Sequence, residues 1–396
     1  MKYDFDIPVD RKGTHSAKMD AMPSGSPADA LSLWVADMDL PCAEPIIKAL
    51  HDRVDRKIFG YTVYDNDECK DAIIHWHKKR FDWNIAKEDI FFSPGVVPAL
   101  AFLLNFLTEE GDGVIIQRPV YYPFTNKIIE NKRRVVNNSL IRKGNTYVMD
   151  YEDLEKKFAD ENTKGMIFCS PHNPVGRVWS AEELRKIVDI AKKYGKWIIA
   201  DEIHADLTRK GITHIPLLTI AEDYKEHIIA CTAPSKTFNM AGMQLSNIII
   251  PNKEYQKLWM EVVDRRFSLS VCSPFGLEAT IAAYTEGEEW LEQARSYIDG
   301  NIEYIKQYIK ENLPKAEMID CQGTYLVWID LNAYCSDAKK LEALMQQEAK
   351  VALDEGYIFG DEGIGFERIN VATQRCNVVE CMNRIKRALD TLAITD

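Results

Sequence analysis

The stretch Cys231-Thr-Ala-Pro-Ser-Lys-Thr-Phe-Asn-Met-Ala-Gly242 sets one lysine, Lys236, between loop-like flanks directly after an apolar run, His227 to Cys231. By itself this is a lysine in a turn. Two upstream segments have the same construction. Ser170-Pro-His-Asn-Pro-Val-Gly176 follows Met166-Ile-Phe-Cys169, and Asp201-Glu-Ile-His204 follows Trp197-Ile-Ile-Ala200. Further outward, Ile90-Phe-Phe92, Val114-Ile-Ile116 and Ile248-Ile-Ile250 are short apolar runs of the same kind. They alternate with helical patterns, such as Glu44 to Val54, from about Glu44 to Gly287. The runs are apolar throughout, which suits strands covered by helices on both faces. Ser180-Ala-Glu-Glu183 opens one helix with a capping-box pattern. The alternation predicts an α/β fold with a mostly parallel αβα sheet, and such sheets gather ligands at their strand C-terminal ends. Asn173, Asp201 and Lys236 would all stand there.

After Gly287 the texture changes. Trp290 to Leu313 reads as a long charged helix, Tyr325 to Asp330 alternates like a strand, and Asn377 to Leu392 reads as a closing helix. The 396 residues suffice for two or three domain-sized units. A net charge of -12 argues against a nucleic-acid footprint and against an anionic membrane surface. No apolar run is long enough to span a bilayer, and Met1 to Asp10 has no signal-peptide character. Nine scattered cysteines without a CxxC pair suit reduced thiols in a cytoplasmic protein. His172, His204 and His214 lack the short spacing of a metal-ligand pair, so no metal is expected.

An amide, an acid and an amine in this arrangement are the polar set that a pyridoxal 5′-phosphate (PLP) site needs. The amine attaches the cofactor, the acid faces the ring nitrogen, and the amide reaches the ring hydroxyl. On these residues the sequence resembles the fold-type I PLP enzymes. Within them it looks like the MalY/PatB branch of cystathionine β-lyases and cysteine-S-conjugate lyases, including the cystalysins. The resemblance runs from Val35-Ala-Asp-Met-Asp39 to Gly365-Phe-Glu-Arg-Ile-Asn370. It implies a large PLP-binding domain over residues 45–287. It also implies a smaller α+β domain formed by residues 1–44 and 288–396.

Each site residue also has a plainer reading. Lys236 would attach PLP and then act as the base, where most lysines are merely solvated. Asp201 would keep the ring nitrogen protonated, where an aspartate after a strand is often a helix cap. Asp201-Glu-Ile-His204 also matches a DExH box, but the chain has no GxxxxGK[ST] loop to accompany it. Asn173 would bond the ring hydroxyl, and a cis Asn173–Pro174 bond would aim it into the cleft; the alternative is an ordinary Asn-Pro turn. Ser93-Pro-Gly-Val-Val97 sits between a strand and a helix, so Gly95, Val96 and Val97 are candidates to cradle phosphate with backbone N–H groups.

The remaining roles are what the resemblance implies. Ser235 adds a phosphate donor. Tyr121 stacks on the ring with Tyr122 beside it, and Ile203 packs on the opposite face. His204 contacts the ring oxygen or leans on Asp201. Arg368 grips the substrate α-carboxylate, with Ala36, Tyr122 and Asn173 nearby. Tyr61 crosses a homodimer interface to the partner's phosphate. Many aminotransferases carry an arginine where this chain has Gln244. The implied activity is carbon–sulfur β-elimination from a small sulfur amino acid (cystathionine, cysteine or a related S-substituted cysteine). Pyruvate, ammonia and a thiol would be released. An aminotransferase using the same residues is the alternative, and a PLP-binding regulatory protein is the reading from another class. Gln244 and His204 favour the lyase.

Overall fold

The computed structural model describes residues 2–392. Each of the six apolar runs becomes a strand of one seven-stranded sheet, and Arg134–Asn137, which sequence reading did not single out, adds the seventh. We number these β1 (Ile90–Ser93), β2 (Gly113–Ile116), β3 (Arg134–Asn137), β4 (Thr163–Cys169), β5 (Trp197–Asp201), β6 (Ile228–Thr232) and β7 (Ser246–Ile249). The spatial order is β1-β7-β6-β5-β4-β2-β3. The pairs β6/β5, β5/β4, β4/β2 and β2/β3 are parallel, and β7 runs antiparallel to both of its neighbours.

Burial explains why the runs lack polar alternation. Successive side chains of a strand point to opposite faces, and here both faces are covered. Ile198 and Ala200 enter one core, Ile199 the other. Met166 and Phe168 divide from Ile167 and Cys169 in the same way. The second core is closed by Leu100, Leu103 and Leu104 of the helix Val96–Leu107. Each such isoleucine, taken fully out of water, contributes roughly 2 kcal/mol. The helix Ala181–Tyr194 carries the expected capping box between Ser180 and Glu183, and Gly195 ends it in the left-handed region, at φ 63°.

The C-terminal part forms a second, antiparallel sheet of β8 (Glu317–Met318), β9 (Leu326–Asp330), β10 (Asp354–Glu355) and β11 (Phe366–Asn370), in the order β8-β9-β11-β10. The alternation expected over 325–330 is absent: Leu326, Val327, Trp328 and Ile329 are all buried. β9 is an interior strand covered on both faces, with Trp328 stacked on Phe366. The helices Glu288–Asn312 and Arg375–Leu392 flank this sheet in sequence. The N-terminal arm forms a separate two-stranded sheet, Leu31–Ser32 parallel with Val351–Ala352, and the Leu33 carbonyl next to it accepts from Asn370 N–H of β11 at 2.9 Å. Among the described residues, no helix is long and apolar enough to cross a membrane.

Candidate active site

Strand order brings the three polar residues together. β4, β5 and β6 are adjacent and parallel, so their C-terminal ends lie side by side. Asn173 follows β4, Asp201 ends β5, and Lys236 follows β6 in the short helix Pro234–Thr237. They surround a cavity of about 200 Å³. Its walls also carry Ala36, Gly95, Val96, Val97, Tyr121, Ile203, His204, Ser235 and Gln244.

The Lys236 Nζ donates to the Ala36 carbonyl at 2.5 Å. Burial pulls the amine down to about 8; the carboxylates of Asp37 and Asp201 oppose the shift, and the Arg368 charge adds to it. Asp201 is buried between Cys169 and Cys231, its register partners on β4 and β6. Burial pushes its carboxyl up to about 7, against the Ile203 N–H, which donates at 3.1 Å, and the Lys236 charge. His204 is driven down to about 3 by burial, with Lys236 and Arg368 adding to the effect, so its ring is neutral. Its Nδ1 has no partner among the described residues, and its ring meets Tyr325 edge-on at 6.0 Å. No hydrogen bond links His204 to Asp201 among the described residues.

Asn173 precedes a cis Pro174 and accepts from Arg368 NH1 at 2.9 Å through Oδ1. Its carbonyl receives the Tyr121 N–H at 3.0 Å. Gly95 caps the helix Val96–Leu107, whose first N–H groups have no partner within the helix. Three expected residues stand apart from the cavity wall. Arg368 lies behind Asn173, with NH2 donating to Asp354 and to the Trp34 carbonyl. Tyr122 stands beside Tyr121, ring centres 5.5 Å apart. Tyr61 is 99% exposed on the surface. His172 is buried elsewhere, its Nε2 3.2 Å from the Gln117 carbonyl.

Sequence reading missed four residues. Tyr325 donates to the same Ala36 carbonyl at 2.9 Å. Asn239 ties the arm to the lysine turn, accepting from Met38 N and donating to the carbonyls of Met38 and Leu40, each at 2.9 Å. Asp354 pairs with Arg368, and Cys169 lines the cavity. Asn239 and Cys169 carried a signal, their places in the quoted lysine segment and in the run before Asn173. Tyr325 reaches Ala36 from far away in sequence, and Asp354 meets Arg368 through the pairing of β10 with β11.

The lining fits PLP. A helix N-terminus faces the cavity beside Ser235, suited to a phosphate. A buried carboxyl with no cation in hydrogen-bond contact among the described residues suits a pyridinium nitrogen, and a half-buried lysine of lowered pKa suits an aldehyde. An aminotransferase class I and II family model matches residues 28–385. Cystathionine β-lyase PatB of Bacillus subtilis is 39% identical over 386 residues, 97% of this chain and 99% of PatB. Protein MalY of Escherichia coli is 33% identical, covering 94% and 95% of the two chains. The crystal structure of cystalysin from Treponema denticola, which contains PLP, superposes with a TM-score of 0.95 at 39% identity, covering 99% and 100%. With this sheet order, this cavity and these relatives, the chain belongs to the aminotransferase class I and II family, in its MalY/PatB branch and with the fold-type I architecture.

Proposed function

We propose that the protein is a PLP-dependent carbon–sulfur β-lyase acting on cystathionine, cysteine or related S-substituted cysteines. The observation that carries the reading is half-buried Lys236 and buried Asp201 on one cavity at adjacent strand ends. PatB, named a cystathionine β-lyase, supports the substrate class. Bound here, PLP supplies an electron sink for the negative charge that develops at the substrate Cα.

The chain's own residues supply the rest. Lys236 attaches the cofactor and later takes the Cα proton; an amine at about 8 is partly neutral near neutral pH. Asp201 faces the ring nitrogen. Asn173 and His204 serve the ring hydroxyl, and the His204 Nδ1 without a partner suits that contact. Tyr121 and Ile203 sandwich the ring. Gly95, Val96, Val97 and Ser235 hold the phosphate. Arg368, already oriented by Asn173 and Asp354, grips the α-carboxylate alongside Ala36 and Tyr122. Loss of the Cα proton then expels a thiolate from Cβ, a good leaving group. The aminoacrylate left behind hydrolyses to pyruvate and ammonia.

The active unit in this reading is a homodimer with shared sites. Ile58, Phe59, Tyr61 and Val63 form an exposed, largely apolar surface. A cleft lined by Leu269, Val271 and Phe275 joins that surface to Pro94 and Gln244, which also line the cofactor cavity. The partner's Tyr61 would enter there. We assign residues 45–287 to the cofactor-binding domain and residues 1–44 with 288–396 to the smaller one. All nine cysteines are free thiols, which suits a cytoplasmic location.

Products test the reaction class. Cystathionine and S-alkylcysteines are expected to yield pyruvate, ammonia and thiol in equal amounts without a keto acid. Alanine, which has no leaving group, should give only slow amino-group transfer. Fast exchange with a keto acid and negligible pyruvate would make the protein an aminotransferase instead.

A further inference from the structure

A second cleft, of about 600 Å³, reaches Lys236 from the side of the N-terminal arm. Ala36, Lys236 and Ala241 line both this cleft and the cofactor cavity. Its other walls combine the apolar Val9, Val35, Met38 and Leu40 with Arg11, Asp37 and Asp39. The Arg11 fork grips Asp37 with NH1 to Oδ1 at 2.9 Å and NH2 to Oδ2 at 2.7 Å, and NH1 also reaches Asp39 Oδ1 at 2.8 Å. Lys18, fully buried, holds the other Asp39 oxygen at 2.8 Å. Keeping four charges beside apolar walls costs desolvation that a hydrophobic plug would avoid.

We propose that this cleft receives the part of the substrate beyond sulfur, and that Arg11 with Asp37 and Asp39 selects an S-substituent ending in an amino-acid head. The inference rests on the β-lyase reading and names the substrate class within it. The Arg11 fork has a second edge, formed by Nε–H and the outer NH2 hydrogen, and neither has a hydrogen-bond partner among the described residues. Two parallel donors of that kind match a carboxylate. The side chains of Arg11 and Asp37 remain 19% and 22% exposed, within reach of a ligand. Two cations, Arg11 and Lys18, balance two carboxylates, so the wall offers both signs at contact without a net field. A zwitterionic head, with its ammonium against the aspartates and its carboxylate on Arg11, suits such a wall better than an ion of one sign. Cystathionine has that head; S-alkylcysteines do not.

The test compares four substrates of equal reach on the PLP-loaded enzyme: cystathionine, S-(3-carboxypropyl)cysteine, S-(3-aminopropyl)cysteine and S-butylcysteine. We expect kcat/KM for pyruvate release to favour cystathionine over S-butylcysteine by about tenfold or more, with the singly charged compounds between them. Arg11→Gln should cut that ratio about tenfold, and Arg11→Lys, which keeps the charge without the fork, by less. The ratio is the readout because Asp37 also favours the protonated form of Lys236. A change at Arg11 can therefore slow every substrate alike. Equal rates for the four substrates, or an unchanged ratio in Arg11→Gln, overturns the proposal. If Arg11→Gln does not fold, the wild-type series still decides. Failure of the β-lyase reading looks different: none of the four would release pyruvate.

Discussion

At Asp201 the surroundings, not the residue type, set the chemistry: a buried carboxyl between two thiols is raised to about 7 and has no cation in hydrogen-bond contact among the described residues. Asp201→Ala is therefore expected to lower kcat on the order of a hundredfold or more, with a larger isotope effect on the Cα proton and little change in KM. Arg368→Ala should instead raise KM roughly tenfold or more, by removing a charge-assisted grip. Reversed signatures would exchange their roles. His172 offers a separate check on burial. The fold holds it at about 3, well below its ordinary 6.5, because burial denies the charged ring its water. The unfolded chain takes up that proton first, so the stability is present above 6.5 and is lost as pH falls from 6.5 toward 3. Between pH 7 and 5 the wild type should lose about 2 kcal/mol more stability than His172→Asn, read from urea unfolding at the two pH values. Lys236, Asp201 and Asn173 were legible because each follows an apolar run. Asp354 and Tyr325 were not, since Asp354 meets Arg368 only through the pairing of β10 with β11 and Tyr325 meets Ala36 only across the fold.

Elements show where local pattern suffices and where neighbours decide. The capping box at Ser180 and the all-apolar strands formed as their spacing predicts. The β9 strand did not alternate, because a sheet buried on both faces removes the polar side that the pattern presumes. Gly165 on β4 stands opposite Trp197 on β5, and a Cβ there would lie 2.1 Å from the indole ring. Gly165→Ala should therefore cost about 1–3 kcal/mol by overpacking, seen as a lower urea midpoint with an unchanged slope. A midpoint equal to wild type would mean that Trp197 has room to move. Nothing in the local sequence marks this glycine, since its constraint is set by the neighbouring strand.

For the molecule as a whole, the proposed shared site makes oligomerisation part of catalysis. Sedimentation of the loaded enzyme should show a dimer, and Tyr61→Phe should weaken PLP binding while leaving that dimer intact. A fully active monomer would remove Tyr61 from the site. The sequence by itself determined the strand and helix pattern, the mostly parallel sheet and the lysine, aspartate and asparagine at its edge. Those features depend on short-range periodicity and on the end of each run, which the chain carries locally. Tertiary structure alone decided that Asn173, Asp201 and Lys236 are neighbours, through the order β4-β5-β6. It alone put Asp354 on Arg368, set the His204 ring edge-on to Tyr325, and laid Arg11 and Asp37 along a second cleft beside the lysine. These are contacts between separate elements, and their geometry exists only once the sheets and the arm have packed.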